Sequence, residues 1–337
     1  MLKLYAPQEL RAGEVAVTKV CRICGSTDLA EPICLRETMF GTGETFPYQQ
    51  CDDCKCLQIV ERPDRMEQYY PSTYYSYSIA QRNIRNRIRN LLAYYGPVWL
   101  FAGRDWWENP DRKSLREARV ARSSRILDLG CGSGNFTASL KEIGFHDVTG
   151  ADPFIPEDMV HPNGVRILRK EASEIEGEFD LVMMQASLEH VWDQRGIVQE
   201  IARLLAPGGQ CMVNIPTLDS WAWENYGENW VHLDPPRHFH IYSRAGITRL
   251  LASAGLEVTA IVDSASAFGI LASEKIRLGL PQIDPASGQN GYERVLSADV
   301  IASASQKAQR LNREKRGDII TVHARRKSVR QPVQAAA

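Results

Sequence analysis

From Arg125 onward, short apolar runs alternate with stretches of helical period. RILDLG, VTGAD, FDLVMMQ, QCMVNIP and LEVTAIVDS have the compact, β-branched character of strands, whereas NFTASLKEIG, IVQEIARLLAPGG and AGITRLLASAG carry apolar residues three and four apart. Such alternation predicts parallel βαβ units and a doubly wound α/β sheet. A helical and polar stretch follows from about 270 to 316, and DIITVHAR at 318–325 reads as one more strand. The tail KSVRQPVQAAA is expected to be disordered. Ahead of the sheet the pattern differs. Residues 21–56 are rich in turn formers and poor in periodic apolar positions, so they bury little core without a staple. A tyrosine-rich stretch, YYPSTYYSYS at 69–78, leads into a segment where Ile84, Ile88, Leu91 and Leu92 recur at helical spacing.

These patterns divide the chain into a small module over 1–62, a tyrosine-rich and basic connector over 63–122, an α/β domain over 123–326 and a tail over 327–337. With 337 residues, 44% hydrophobic and 24% charged, the chain can build one sizeable core plus an appendage. Lys plus Arg is 40 against 41 for Asp plus Glu, a formal net charge of -1, so no global field draws polyanions and nucleic acid is not suggested as a partner. MLKLYAPQEL lacks the basic start and apolar run of a secretory signal, and nowhere do apolar residues run long enough to span a bilayer. A cytoplasmic protein is expected.

Six of the eight cysteines lie between Cys21 and Cys56, which in a reducing compartment points to metal before disulfide. Cys21-x2-Cys24 and Cys51-x2-Cys54 form two knuckles, and four thiolates converging on one point make a closed tetrahedral site for a structural zinc ion. Cys34 and Cys56 are spare, with Cys56 an alternative to Cys54 as ligand.

The strand at Arg125–Leu129 ends in Gly130-Cys131-Gly132-Ser133-Gly134, with a helix opening at about Asn135, the arrangement of a nucleotide-type site at a strand's carboxyl end. Asp152 ends the next strand, where a carboxylate can accept both hydroxyls of a ribose. Asn135 stands where a dinucleotide fingerprint has its third glycine, and Asp128 would oppose a pyrophosphate. The same carboxylate favours a ligand with an ammonium and a sulfonium, as S-adenosyl-L-methionine has.

ILDLGCGSGNF, VTGADP, FDLVMMQASLEHV and LLAPGG, in that order, resemble the class I S-adenosylmethionine-dependent methyltransferase family over roughly 125–265. The resemblance implies a Rossmann-like sheet of seven strands, the last antiparallel. It also implies that Asp128, Gly130, Gly132 and Gly134 frame the methionine moiety, with Cys131 in the same turn. Asp152 and Pro153 would lie at the ribose, Glu171 and Ala172 near the adenine, and Gln185 would close the pocket from the fourth strand. A solvated loop is the alternative place for Glu171. The front end, CRICGS, YQQCDDCKCLQIVERP and YYPSTYYSYS, looks like that of methyltransferases encoded with bacterial polysaccharide and sugar-modification enzymes.

Between the fifth strand and the helix that Ser243 caps lies a long connection, residues 216–243, leaving the sheet where cofactor and acceptor must meet. WVHLDPPRHFHIYS within it resembles a stretch of the same polysaccharide-associated enzymes, which implies a lid. Trp223, Tyr226, Trp230 and Arg237 are candidate acceptor contacts, the tryptophans alternatively packing the lid onto the domain. Methyl transfer from a sulfonium is an in-line displacement in which the enzyme aligns the acceptor and excludes water, and a hydroxyl or amine acceptor also loses a proton. His238 or His240, and then His190, are the candidate general bases, with hydrogen bonding within the lid as their alternative role. Glu189-His190 could instead help hold a divalent ion.

Residues 82–125 hold eleven Lys or Arg against four acids. The basic helix at 82–92 could contact an acidic lipid surface, a phosphate-bearing acceptor or RNA, or simply dock its apolar side on the α/β domain. Three readings follow: a methyltransferase for a sugar, polysaccharide precursor or similar hydroxylated acceptor; an RNA methyltransferase gripping substrate through the zinc module; and a non-enzymatic module on the same scaffold. QASLEHV after the fourth strand, in place of N-P-P-[FY], speaks against RNA.

Overall fold

The computed structural model describes residues 17–71 and 114–326, except 116 and 286. The tail and most of the connector, including the basic helix 82–92, lie outside them. The N-terminal module carries β1 (Ile33–Arg36), β2 (Thr45–Gln50) and β3 (Leu57–Ile59), joined as an antiparallel meander.

The α/β domain opens with β4 (Arg125–Leu129), α1 (Asn135–Glu142) and β5 (Asp147–Ala151). Then come β6 (Met159–Val160), β7 (Arg166–Leu168), β8 (Phe179–Gln185), α2 (Gln194–Leu204) and β9 (Leu205–Pro216). The lid contributes α3 (Trp221–Tyr226) and β10 (His240–Ile241). The chain continues through α4 (Arg244–Ser253), β11 (Leu256–Asp263), α5 (Ala267–Arg277), α6 (Ala298–Arg313) and β12 (Ile319–Arg326).

The large sheet has the order β11-β12-β9-β8-β4-β5-β7-β6. The run from β9 to β7 is parallel, and β12 is antiparallel to both its neighbours, as expected of the last strand. The sheet has eight strands and not seven. The addition is β6, two residues antiparallel to β7, too short to leave a periodic signal. The order of winding reverses at β4: β5 and β7 build outward on one side, β8 and β9 on the other, so the crevice at the carboxyl end of β4 is the topological switch point.

The central strands are buried on both faces, which is why they read as continuous apolar runs. Leu127, Val182 and Met184 pack with Val198 and Ile201 of α2 and with Ile247 and Leu250 of α4. Ile126, Leu181 and Met183 face Leu140, Phe145 and Leu115 on the other side. Cys21, Ile23, Cys51, Cys54 and Cys56 belong to the first of these cores, so the module is packed onto the domain and not hung from it.

The lid is likewise no free flap. Its β10 pairs antiparallel with β3, His240 opposite Gln58 and Ile241 opposite Leu57, completing a four-stranded sheet of module and lid. Tyr48, Leu57 and Ile59 of the module share a core with Leu218, Tyr226, Trp230, Phe239 and Ile241 of the lid. Among the described residues, no helix is long and apolar enough to cross a membrane.

Ser243 caps α4 as expected, its hydroxyl accepting from the amide of Gly246 at 2.8 Å. The same turn receives the module: the Ser243 hydroxyl donates to the Cys54 carbonyl, and its amide donates to Cys56 Sγ at 3.4 Å. A Cβ at Gly246 would overlap Cys56 Sγ, so a glycine is needed for the module to sit this close. Gly246→Ala is therefore expected to destabilise the chain by roughly 1–3 kcal/mol through overpacking. In thermal denaturation the Cys56→Ala background should restore most of the loss; an equal loss in both backgrounds would contradict the contact.

Candidate active site

At the carboxyl end of β4 the chain turns through Gly130, Cys131 and Gly132 into α1. Gly130 and Gly134 have φ of +70° and +74°, the left-handed region that favours glycine. A Cβ at Gly134 would overlap the side chain of Ile167, so backbone lies against β7 with no room for a side chain. The turn is tied down by its neighbours. Asp152 Oδ2 accepts from the Gly132 amide at 2.8 Å and Oδ1 from the Phe154 amide at 2.8 Å. His161 Nε2 donates to the Ser133 carbonyl at 2.6 Å, and the Ser187 hydroxyl, after β8, donates to the Leu129 carbonyl at 3.0 Å.

Three buried polar atoms at this edge have no partner within the protein: Asp128 Oδ1, Gln185 Nε2 and Nδ1 of His161. Unsatisfied buried groups in a folded chain call for an explanation, and a ligand in the crevice supplies one. Thr137 donates to the other Asp128 oxygen at 2.7 Å. Burial raises the Asp128 carboxyl to about 7, with nearby Asp152 adding to the effect, and burial raises Asp152 as well. Two carboxyls facing one crevice and short of counter-charge suit a cationic ligand. Pro153 follows Asp152, Cys131 lies partly exposed in the turn, and Ala172 is partly exposed further along the same edge. Glu171 is exposed and forms a capping box with Glu174, which fits its alternative reading as a loop carboxylate.

Next to Ser187 the chain presents Glu189 and His190, and the lid brings His238 against them. The two imidazoles are edge-to-face with centroids 4.6 Å apart. His190 Nδ1–H donates to the Arg237 carbonyl at 2.9 Å, and His238 Nδ1–H donates to the His232 carbonyl at 2.8 Å. Each Nε2 therefore keeps its lone pair. Glu189 Oε1 and Asp234 Oδ2 lie 4.0 and 3.8 Å from His238 Nε2, and Glu189 Oε2 is buried without a partner. Ligand-type atoms of Glu189, His190 and His238 all lie within 4.8 Å of one another. Burial lowers His190 and brings His238 down to about 3, while burial raises Glu189 to about 8. Burial thus favours the neutral form of all three, and Asp234, which burial alone would raise, is held low by Arg237 and supplies the carboxylate charge beside them.

Other expected site residues are placed elsewhere. His240 is fully buried in β10 and its Nε2 accepts from Arg22 Nε at 3.0 Å, so it is not brought to the cluster and its lone pair is committed. Arg237, expected to touch the acceptor, has no exposed surface and is paired with Asp234 and Glu37. Trp230 is 1% exposed and donates to Asp318 at 3.1 Å, and the hydroxyl of buried Tyr226 donates to Glu274 at 3.0 Å. The structure buries all three among partners of the protein itself. Trp223 stays partly exposed, its ring 6.3 Å from that of Trp230. Glu37, Tyr70 and His161 escaped sequence reasoning: Glu37 meets the lid 200 positions away, and the Tyr70 hydroxyl lies 3.2 Å from His190 Nδ1.

The four knuckle cysteines converge, with Cys21 Sγ 3.6 Å from Cys54 Sγ and Cys24 Sγ 3.6 Å from Cys51 Sγ. No disulfide joins them. These separations match neighbouring corners of a tetrahedron with metal–sulfur bonds of about 2.3 Å. A hydrogen bond from Cys54 and burial push the Cys21 thiol up, and burial raises Cys51. Cys56 is not in the group; its sulfur faces Ser243.

The raised Asp128 gives a signed pH dependence. Below about pH 7 its carboxyl is protonated and offers no charge to a cation; above it, it does. Affinity for S-adenosylmethionine is expected to rise between pH 6 and 8, with release of about half a proton per cofactor at pH 7. Calorimetry in two buffers of different ionisation enthalpy measures this; flat affinity with no proton release would contradict it.

Comparisons with known proteins bear on the family. A family model described as a methyltransferase domain matches residues 99–261. The ubiquinone biosynthesis O-methyltransferase of Xanthomonas oryzae pv. oryzae is 30% identical over 163 residues, 41% of this chain and 67% of its own. That of Aromatoleum aromaticum is 27% identical over 186 residues, 47% of this chain and 79% of its own. A solved S-adenosylmethionine-dependent methyltransferase from Mesorhizobium loti overlaps with a TM-score of 0.41 at 18% identity, covering 64% of this chain and 98% of its own. The family model and the Xanthomonas relative show that the chain belongs to the S-adenosylmethionine-dependent methyltransferases.

Proposed function

We propose that the chain methylates an oxygen of a small hydroxylated acceptor, a sugar or polysaccharide precursor, with His238 or His190 receiving the acceptor's proton. The observation that carries this reading is the pair of imidazoles beside Ser187, each with Nδ1 on a backbone carbonyl, which leaves Nε2 as the nitrogen with the lone pair. Relatives named as O-methyltransferases support oxygen as the accepting atom.

S-adenosylmethionine, when bound, supplies an electrophilic methyl on a sulfonium. Asp128 and Asp152 would hold its ammonium and its ribose, with Gln185 donating from the strand beside them. The protein's remaining task is alignment and proton removal. Burial keeps both imidazoles unprotonated, so a lone pair is ready at neutral pH. Once one takes a proton, the Asp234 carboxylate 3.8 Å from His238 Nε2 offsets the new charge. The partly exposed Trp223 offers a face to a ring-shaped acceptor.

In the module we propose a structural zinc ion on Cys21, Cys24, Cys51 and Cys54, a closed site with no role in chemistry. Because the module's sheet includes β10, metal loss would slacken the lid more than the cofactor crevice.

Two tests follow. With labelled S-adenosylmethionine and a panel of monosaccharides, nucleotide-sugars and catechol, His238→Gln and His190→Gln should each lower turnover on the order of 100- to 10,000-fold with cofactor affinity intact; full turnover in both would remove the histidines. Elemental analysis should find zinc in the full chain and lose it in Cys21→Ser, with a lowered Tm; a metal-free wild type of equal Tm would exclude the zinc site.

A further inference from the structure

The buried charges between module and lid bear on how the acceptor site is held. Arg237 Nε donates to both oxygens of Asp234 at 3.0 Å, and its Nη2 donates to Asp234 Oδ1 at 2.6 Å and to Glu37 Oε1 at 2.8 Å. Its Nη1 reaches the Tyr69 carbonyl at 3.4 Å. Glu37, 1% exposed, also accepts from the amides of Met39, Phe40 and Thr42, so the module's own loop is folded around the same carboxylate. Buried ion clusters are weak sources of stability, because desolvation cancels much of the attraction; what they fix well is geometry.

That geometry leads to the imidazoles. The Arg237 carbonyl accepts Nδ1–H of His190 at 2.9 Å. The Asp234 carbonyl accepts the amides of Arg237 and His238 at 2.9 and 3.1 Å, and the Asp234 carboxylate stands 3.8 Å from His238 Nε2. One residue thus holds the first imidazole through its backbone, and through its side chain it holds the carboxylate beside the second.

We propose that Arg237, anchored by Glu37 of the N-terminal module, is the positioning residue of the acceptor site: it sets the tautomer of His190 and the stand-off of Asp234 from His238. The proposal rests on the reading of the two histidines as proton acceptors. It makes the module a wall of the catalytic centre and not a separate grip on substrate. A planar guanidinium can meet two carboxylates and a carbonyl at once in fixed directions; an ammonium carries the charge without the plane. Arg237→Lys therefore keeps the charge but frees Asp234 to turn toward His238 Nε2 and the residue 237 carbonyl to turn from His190. Glu37→Gln keeps the shape and one of the two oxygens that accept the loop amides, while removing one of the two charges that hold the fork.

The test is long-range 1H–15N NMR of the full chain with 15N-labelled histidines, the His190 signals assigned with His190→Gln. In the wild type His190 should show the Nδ1–H tautomer alone. In Arg237→Lys and in Glu37→Gln it should show a mixture, with affinity for S-adenosylmethionine within about twofold of wild type by calorimetry. A single unchanged Nδ1–H tautomer in folded Glu37→Gln and Arg237→Lys would overturn the proposal, and should Arg237→Lys fail to fold, Glu37→Gln decides alone. Failure of the underlying reading is a separate result: undiminished turnover in the histidine variants removes the base while leaving the tautomer measurement to stand or fall by itself.

Discussion

A guanidinium with no exposed surface, clasped between Asp234 of the lid and Glu37 of the module, is the constraint on which the joining of lid to module depends. Removing one partner of such a cluster leaves a charge buried without compensation, typically at a cost of about 3–5 kcal/mol. The chain is thereby committed to keeping module, lid and the end of β8 together. Around this point the lid is fastened by further buried bonds. Tyr48 of β2 donates to the His238 carbonyl at 2.8 Å, the Ile59 amide donates to the Phe239 carbonyl at 2.9 Å, and the Phe239 amide donates to the Glu189 carbonyl at 2.8 Å. Residues 237–241 are a strip of backbone sewn on one edge to the module and on the other to the segment after β8.

The cofactor side is governed by a different physics. There, parallel strands end at a switch point, glycines hold the turn in left-handed backbone packed against its neighbours, and buried carboxyls lack counter-charge. Most buried polar groups on both sides have specific partners; among the described residues, the atoms left unpaired include one each of Asp128, Gln185 and His161 around the crevice, one of Glu189 in the histidine cluster, and His240 Nδ1 in the lid strand. The first four flank the places where chemistry is proposed, S-adenosylmethionine on one side and the acceptor on the other.

The α/β domain was legible in the sequence because its signals are local. RILDLG ends a strand and starts a turn within a few residues, Ser243 caps the helix it precedes, and the antiparallel last strand falls where DIITVHAR stands. The knuckles were legible for the same reason, each being a short-range pair. What sequence could not carry was long-range: β6 and β10 are two residues each, and no periodicity survives at that length. Arg237 looked like a contact for substrate because a lone arginine on a long loop usually meets solvent or ligand, and its partner Glu37 lies 200 positions away. His240 and His238 are two residues apart and indistinguishable by composition. The strand pairing of Ile241 with Leu57 buries one against Arg22, while a carbonyl two turns of lid earlier orients the other.

The central claim is that lid and module form one cooperative unit walling the acceptor site. Native-state hydrogen exchange of the Ile59 and Phe239 amides over increasing denaturant measures it most directly. The account predicts that both exchange through the same opening, with matching free energy and denaturant dependence. Rapid exchange of Phe239 by local opening, while Ile59 stays protected, would contradict it.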